Sequence, residues 1–263
     1  MISVEGVLGR ERTIIVAGMV MVTVLAWIYL WQGAGMGMSA LDMTTLSLFP
    51  HLQHDPGGSM DADWLVVATM WWVMMVAMMT PSAAPVVLLY QRVLRHHAPA
   101  SGASGGMSAW LLAGYLTVWL AFSMAAATLQ EALQPAGLLS EMMLWSRSAW
   151  LSATVLVAAG LYQYSSLKRA CLAQCQSPVG FLTRYWRPGR LGSFALGLRH
   201  GAYCVGCCWV LMALLFVGGV MNLIWIAALT LIVLLEKLTP AGARWGNLLG
   251  GVLIVWGIAT LLV

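Results

Sequence analysis

The sequence predicts an all-α, polytopic transmembrane helix bundle of about seven spans, and three observations carry that prediction. Of 263 residues, 61% are hydrophobic and only 8% are charged. Soluble domains carry about 25% charged residues, so a water-facing surface cannot be assembled from this chain. The apolar residues also fall in runs of about 20, the length a bilayer core demands of a helix. Finally, the 13 Lys and Arg residues are crowded into alternate connecting segments.

The first run, 13–31, follows Arg10 and Arg12 and ends in Trp27, Tyr29 and Trp31. It is longer than the apolar stretch of a secretory leader, about 7–15 residues. Its aromatic end suits a membrane interface, so it reads as a retained span. Further spans are expected at 64–90, 108–129, 149–164, 194–217, 220–235 and 245–263, the fourth being short. The N-terminus, 91–107, 165–199 and 236–244 then share one side and hold every Lys and Arg except Arg147. The positive-inside rule makes that side the cytoplasm. The N-terminus is therefore expected inside and the C-terminus outside. An outer loop at 32–63 and a basic cytoplasmic loop at 165–193 are too short for a separate soluble domain. Residues 1–263 read as a single integral membrane domain, expected in the bacterial inner membrane with the lipid bilayer as its partner.

Chemistry concentrates in a few places. The stretch His200-Gly201-Ala202-Tyr203-Cys204-Val205-Gly206-Cys207-Cys208 opens the fifth span. At about 100° per residue, His200, Cys204, Cys207 and Cys208 fall within an arc of roughly 100° on one helix face. Thiolate and imidazole suit Zn(II) or Cu(I), and thiolate with thioether favours Cu(I). A buried Cys is otherwise simply a small apolar residue. Cys171 and Cys175 are four apart, on one face of a helix in the basic loop. They could join the span-five thiols or be ordinary reduced thiols. These five are all the cysteines of the chain, and their odd number and clustering argue against a disulfide framework.

Span two carries Met70, Met74 and Met78 as one stripe and Met75 and Met79 beside it, followed by Pro81 and Pro85. Met74 and Met78 are candidate thioether ligands on a path for a soft cation. The plainer reading is core packing. Each proline removes a backbone donor and frees a carbonyl. In the outer loop, Met36, Met38, Met43, His51, His54 and Met60 could collect copper or belong to an ordinary polar loop. Asn222, Glu236 and Lys237 lie near the ends of span six, where ionisable residues are functional candidates unless they snorkel outward. No phosphate-binding loop, dinucleotide fingerprint or zincin motif is present. An enzyme is not expected, and nothing supports nucleic-acid binding.

The chain resembles a bacterial family of predicted metal-binding integral membrane proteins. The matching stretches are Met74-Met75-Val76-Ala77-Met78-Met79-Thr80-Pro81-Ser82-Ala83-Ala84-Pro85, Tyr162-Gln163 through Lys168-Arg169-Ala170-Cys171, Cys175 and Ser177-Pro178, Gly197 through Trp209, Met212, and Met221-Asn222 through Glu236-Lys237. They cover most of 64–240. The resemblance implies a membrane unit that binds metal through these Cys and His residues.

The function expected is therefore binding of a soft metal such as Cu(I), and its transport or delivery. Two alternatives come from other classes. One is a membrane thiol-redox protein using Cys204 and Cys207 with Cys208. The other is a structural or assembly subunit working with other membrane subunits.

Overall fold

Each long apolar run becomes a helix in the computed structural model, which describes residues 4–35, 39, 41–45, 47–52, 63–97, 104–140 and 143–263. In chain order the helices are α1 (Val4–Trp31), α2 (Trp64–His97), α3 (Ser104–Leu133), α4 (Ala149–Gln163), α5 (Ser166–Gln176), α6 (Pro178–Tyr185), α7 (Gly189–Ala213), the short α8 (Leu215–Gly218), α9 (Leu223–Leu238) and α10 (Gly242–Leu262). Among the described residues there is no strand, only an isolated bridge between Leu139 and Ser146.

Five stretches are long and apolar enough to cross a membrane: Arg12–Trp31, Trp64–Arg95, Gly106–Leu133, Gly189–Gly218 and Gly242–Leu262. The expected count of seven is corrected to five. The difference lies in α4, with 15 residues, and α9, with 16. At 1.5 Å per residue each reaches only about 22–24 Å, short of a hydrocarbon core of about 30 Å.

The principal helices nevertheless alternate in direction along the chain. Trp64 Nε1 donates to Thr128 Oγ1 at 3.4 Å, and Ser82 Oγ lies 3.4 Å from the Tyr115 hydroxyl, so α2 and α3 are antiparallel. By contrast, α3 and α7 rise together. Trp110 faces Phe194 with ring centroids 6.1 Å apart, and Val118 lies beside Gly201, where an added Cβ would be 2.9 Å away. The chain must therefore return between them, and α4 makes the return. Antiparallel to α4 runs α10: Tyr164 donates to the Asn247 carbonyl at 2.7 Å, while Gly257 approaches the Ala153 carbonyl.

The pairs α3–α7 and α4–α10 meet backbone to backbone. A methyl at Gly197 would overlap the Leu111 carbonyl, and one at Gly160 would come within 2.7 Å of the Gly250 carbonyl oxygen. Small residues let helices approach this closely, as membrane bundles require. The outward faces are apolar, with Leu25, Ile28, Val252, Val255 and Leu262 exposed. Lys168, His200, Glu236 and Lys237 are all buried. This distribution inverts that of a water-soluble protein.

The segment 165–193, expected as a basic loop, holds two helices that turn back into the bundle. Ser165 caps α5 by accepting from the Lys168 N–H at 3.1 Å, and Pro178 opens α6 at a position where no N–H is needed. At 11 and 8 residues these helices are too short to register as spans. Where α5 crosses α7, Gly206 leaves room for Cys171: an added Cβ would lie 2.8 Å from the Cys171 sulfur. Tyr162 also donates to the Gly206 carbonyl.

Of the loop expected on the outer side, Met36, Met38, His54 and Met60 lie outside the described residues. Met43 is buried, and His51 packs edge-on against Phe49. Asn222 is the N-cap of α9: its side-chain oxygen accepts from Ile224 N–H at 3.1 Å, and its Nδ2 donates to the Thr45 carbonyl at 2.9 Å. It fastens the described part of that loop to the bundle.

Candidate metal centre

Two helices bring sulfur together. Along α7, the Cys207 and Cys208 thiols donate back to the Cys204 carbonyl at 3.1 and 2.9 Å. This is ordinary behaviour for a small polar side chain on a helix, and it holds both sulfurs against the helix surface. Cys208 is in side-chain contact with Cys204 and with Cys207. From α5, Cys175 meets Cys207. A chain of contacts thus runs Cys175–Cys207–Cys208–Cys204 across two helices. All five thiols are free, and only Cys175 is not fully buried.

Cys171 and Cys175 share a face of α5, as their spacing predicts, but they play different parts. Cys175 touches Cys207, whereas Cys171 packs over Gly206. Both thiols titrate above the ordinary range. For Cys175 the hydrogen bond to Cys207 comes first and burial second, and for Cys171 burial comes first. A thiol that donates is stabilised in its protonated form.

The residue that α9 contributes is Lys237. Its ammonium donates to the Cys204 sulfur at 2.8 Å and to Ser82 Oγ on α2 at 3.4 Å. The Tyr115 hydroxyl of α3 lies 3.0 Å from the same sulfur and donates to the Met79 carbonyl at 3.1 Å. Ser82 also donates to that carbonyl, at 2.8 Å. The neighbourhood of Pro81, where the backbone ladder of α2 is interrupted, is thus sewn into the site by hydroxyl groups. Met74 and Met78 are fully buried in α2 on the N-terminal side of this point.

His200 is buried but held by rings. It stacks on Tyr115 with centroids 5.5 Å apart and tilts against Phe181 at 5.2 Å. Its Nδ1 atom is buried without a hydrogen-bond partner. Beyond the sulfurs lies a buried ion pair: Lys168 of α5 donates to Glu236 of α9 at 2.7 Å, and Gln163 donates to the same carboxylate at 3.1 Å. Gln176 Nε2 donates to the Glu236 carbonyl at 2.7 Å.

Sequence reasoning missed Tyr115, read Lys168 only as part of the basic loop, and allowed Glu236 and Lys237 to snorkel. Adjacent positions do point to different faces of a helix, and here each finds a separate buried partner. The available signal was the burial cost itself. A Lys or Glu in so apolar a helix is retained inside only if paired.

Among the described residues no three His, Cys, Asp or Glu side chains are disposed to hold an ion together. The donor set is instead a series of sulfur pairs in an apolar setting, with a bare imidazole nitrogen nearby. Structural Zn(II) takes four ligands, whereas soft thiolate donors select Cu(I).

Comparison with known proteins points the same way. A family model described as PpoB2, copper chaperone, matches residues 67–260. No curated protein and no solved structure matches the chain.

Proposed function

This chain belongs to the copper-chaperone family, and from that premise we propose that it is an integral membrane protein that holds Cu(I) on paired thiolates and delivers it onward. Cys207 is the central ligand, with Cys175 of α5 or Cys208 of α7 as its partner. The observation that carries this reading is the meeting of Cys175 and Cys207 across two helices. Two sulfurs from one helix turn would need no α5. A site shared with a short helix outside the long passes has a ready means of release, because withdrawal of α5 removes one ligand.

Cys204 and His200 are reserve positions along the same face, and Met74 and Met78 line a thioether approach within α2. The apolar outer surface and the five membrane-length helices support insertion into a bilayer. With α4 and α9 as short returning passes between the five long helices, the placement of every Lys and Arg but Arg147 supports a cytoplasmic N-terminus in a bacterial inner membrane. On that topology α5 and the thiols face the reducing compartment, where Cu(I) and free thiols persist.

The test is metal retention. The protein, purified in detergent under reducing conditions, is exposed to Cu(I), passed through a desalting column and assayed by elemental analysis. Near-stoichiometric copper in the wild type, lost in the Cys204→Ser/Cys207→Ser/Cys208→Ser triple variant, is expected. Equal retention by both proteins, or by neither, refutes the reading.

A further inference from the structure

The buried charges of the bundle do not cancel without the thiols. Lys168 and Lys237 are 2% and 5% exposed, yet the buried carboxylate Glu236 belongs to Lys168. No carboxylate among the described residues pairs with Lys237. An isolated ammonium in apolar surroundings is strongly disfavoured, and buried charges are retained when paired. The atom that answers this need is the Cys204 sulfur, 2.8 Å away, and Cys207 and Cys208 are within electrostatic range of the same ammonium.

We propose that Lys237 is the counter-charge of the copper site and selects a monovalent over a divalent cation. This inference rests on the thiolate–Cu(I) reading and adds the residue that fixes its charge. When Cu⁺ binds Cys207 and its partner as thiolates, two S–Cu bonds form, each S–H bond those sulfurs carried breaks and its proton leaves; no electron moves. The bis-thiolate centre carries one negative charge, which Lys237, 2.8 Å from Cys204 and within electrostatic range of Cys207 and Cys208, balances. A divalent ion on the same two sulfurs gives a neutral centre and leaves the ammonium without an anion. Selectivity thus follows from the charge the helices have already buried. The position of Lys237 is held by Ser82 on α2 and by the Cys204–Tyr115 contact, so the ammonium is fixed before any ion arrives.

Lys237→Met tests the inference, with Lys237→Arg as the charge-retaining control. Cu(I) affinity is measured by competition with a chromophoric Cu(I) chelator, and Zn(II) retention by elemental analysis on the same preparations. Melting temperature and size-exclusion profile are recorded for each. Losing one member of a buried pair is severe, so Cu(I) affinity should fall by about tenfold or more in K237M. The ratio of Zn(II) to Cu(I) retained should rise, and K237R should stay nearer the wild type on both measures. Cu(I) affinity that is unchanged or tighter in K237M overturns the inference, since Lys237 would then be a bystander or a competitor for the site. If K237M does not fold, Lys237→Gln, which keeps a donor for Cys204 and Ser82 but no charge, is read by the same criteria. A wild-type protein that holds no Cu(I) is a different result: it removes the underlying site, and the counter-charge role falls with it.

Discussion

Lys168 of α5 reaches Glu236 of α9 across 2.7 Å, with both side chains buried. This pair ties a short helix to the bundle through the same face that meets the thiols of α7. Breaking one side leaves an uncompensated charge inside, which typically costs about 3–5 kcal/mol, whereas replacing both partners by apolar groups is far milder. Glu236→Gln alone should therefore lower unfolding stability in detergent by about that amount. Adding Lys168→Met should restore most of it, as read from thermal or denaturant unfolding. Equal loss in the single and double variants would show that the pair is not the tie.

Gly206 makes room for Cys171. Its absent Cβ would lie 2.8 Å from the Cys171 sulfur, and overpacking of this kind costs about 1–3 kcal/mol. Gly206→Ala should destabilise the protein within that range. Cys171→Ala in the same chain should relieve the clash, because the sulfur is the obstructing atom. The double-mutant cycle, followed by thermal unfolding, should show a clearly non-additive pair.

Cys175 and Cys171 lie on one face of α5, but only Cys175 touches Cys207. Cys175→Ser and Cys207→Ser should each weaken Cu(I) affinity by about tenfold or more, the loss of a soft thiolate ligand. Cys171→Ser should change it little. Competition with a chromophoric Cu(I) chelator measures all three, and a larger effect at Cys171 than at Cys175 contradicts the assignment of ligands.

Ser39 and Thr183 are exposed and fall on opposite sides of the proposed membrane. In intact cells, a membrane-impermeant maleimide should label Ser39→Cys directly and Thr183→Cys only after permeabilisation. The native thiols are buried or half-buried, and the unsubstituted protein gives the background. The reverse pattern would invert the orientation drawn from the Lys and Arg distribution.

Much of this protein was legible before folding. A chain with 8% charged residues and long apolar runs can only bury its backbone polar groups in helices, so helix positions followed from composition and run length. Spacing along a single helix was equally readable: it placed Cys204, Cys207 and Cys208 on one face of α7, and Cys171 beside Cys175 on one face of α5. Periodicity is a local property, and the residues that set it are neighbours in sequence.

Span number was legible only in part. Apolar runs at α4 and α9 look like spans, yet capping at Ser148 and Asn222 and the ends at Gln163 and Leu238 leave 15 and 16 helical residues. What only the tertiary structure decided was which helices meet. The folding of α5 back against α7, the choice of Cys175 rather than Cys171 as the thiol at Cys207, and the separate partners of Glu236 and Lys237 all depend on contacts between residues 30 to more than 150 positions apart. Such contacts arise from close helix approach at Gly206 and from the need of each buried charge for an opposite one. No single helix carries that information, because a buried lysine and the sulfur it answers to lie on different segments and only packing brings them within 2.8 Å.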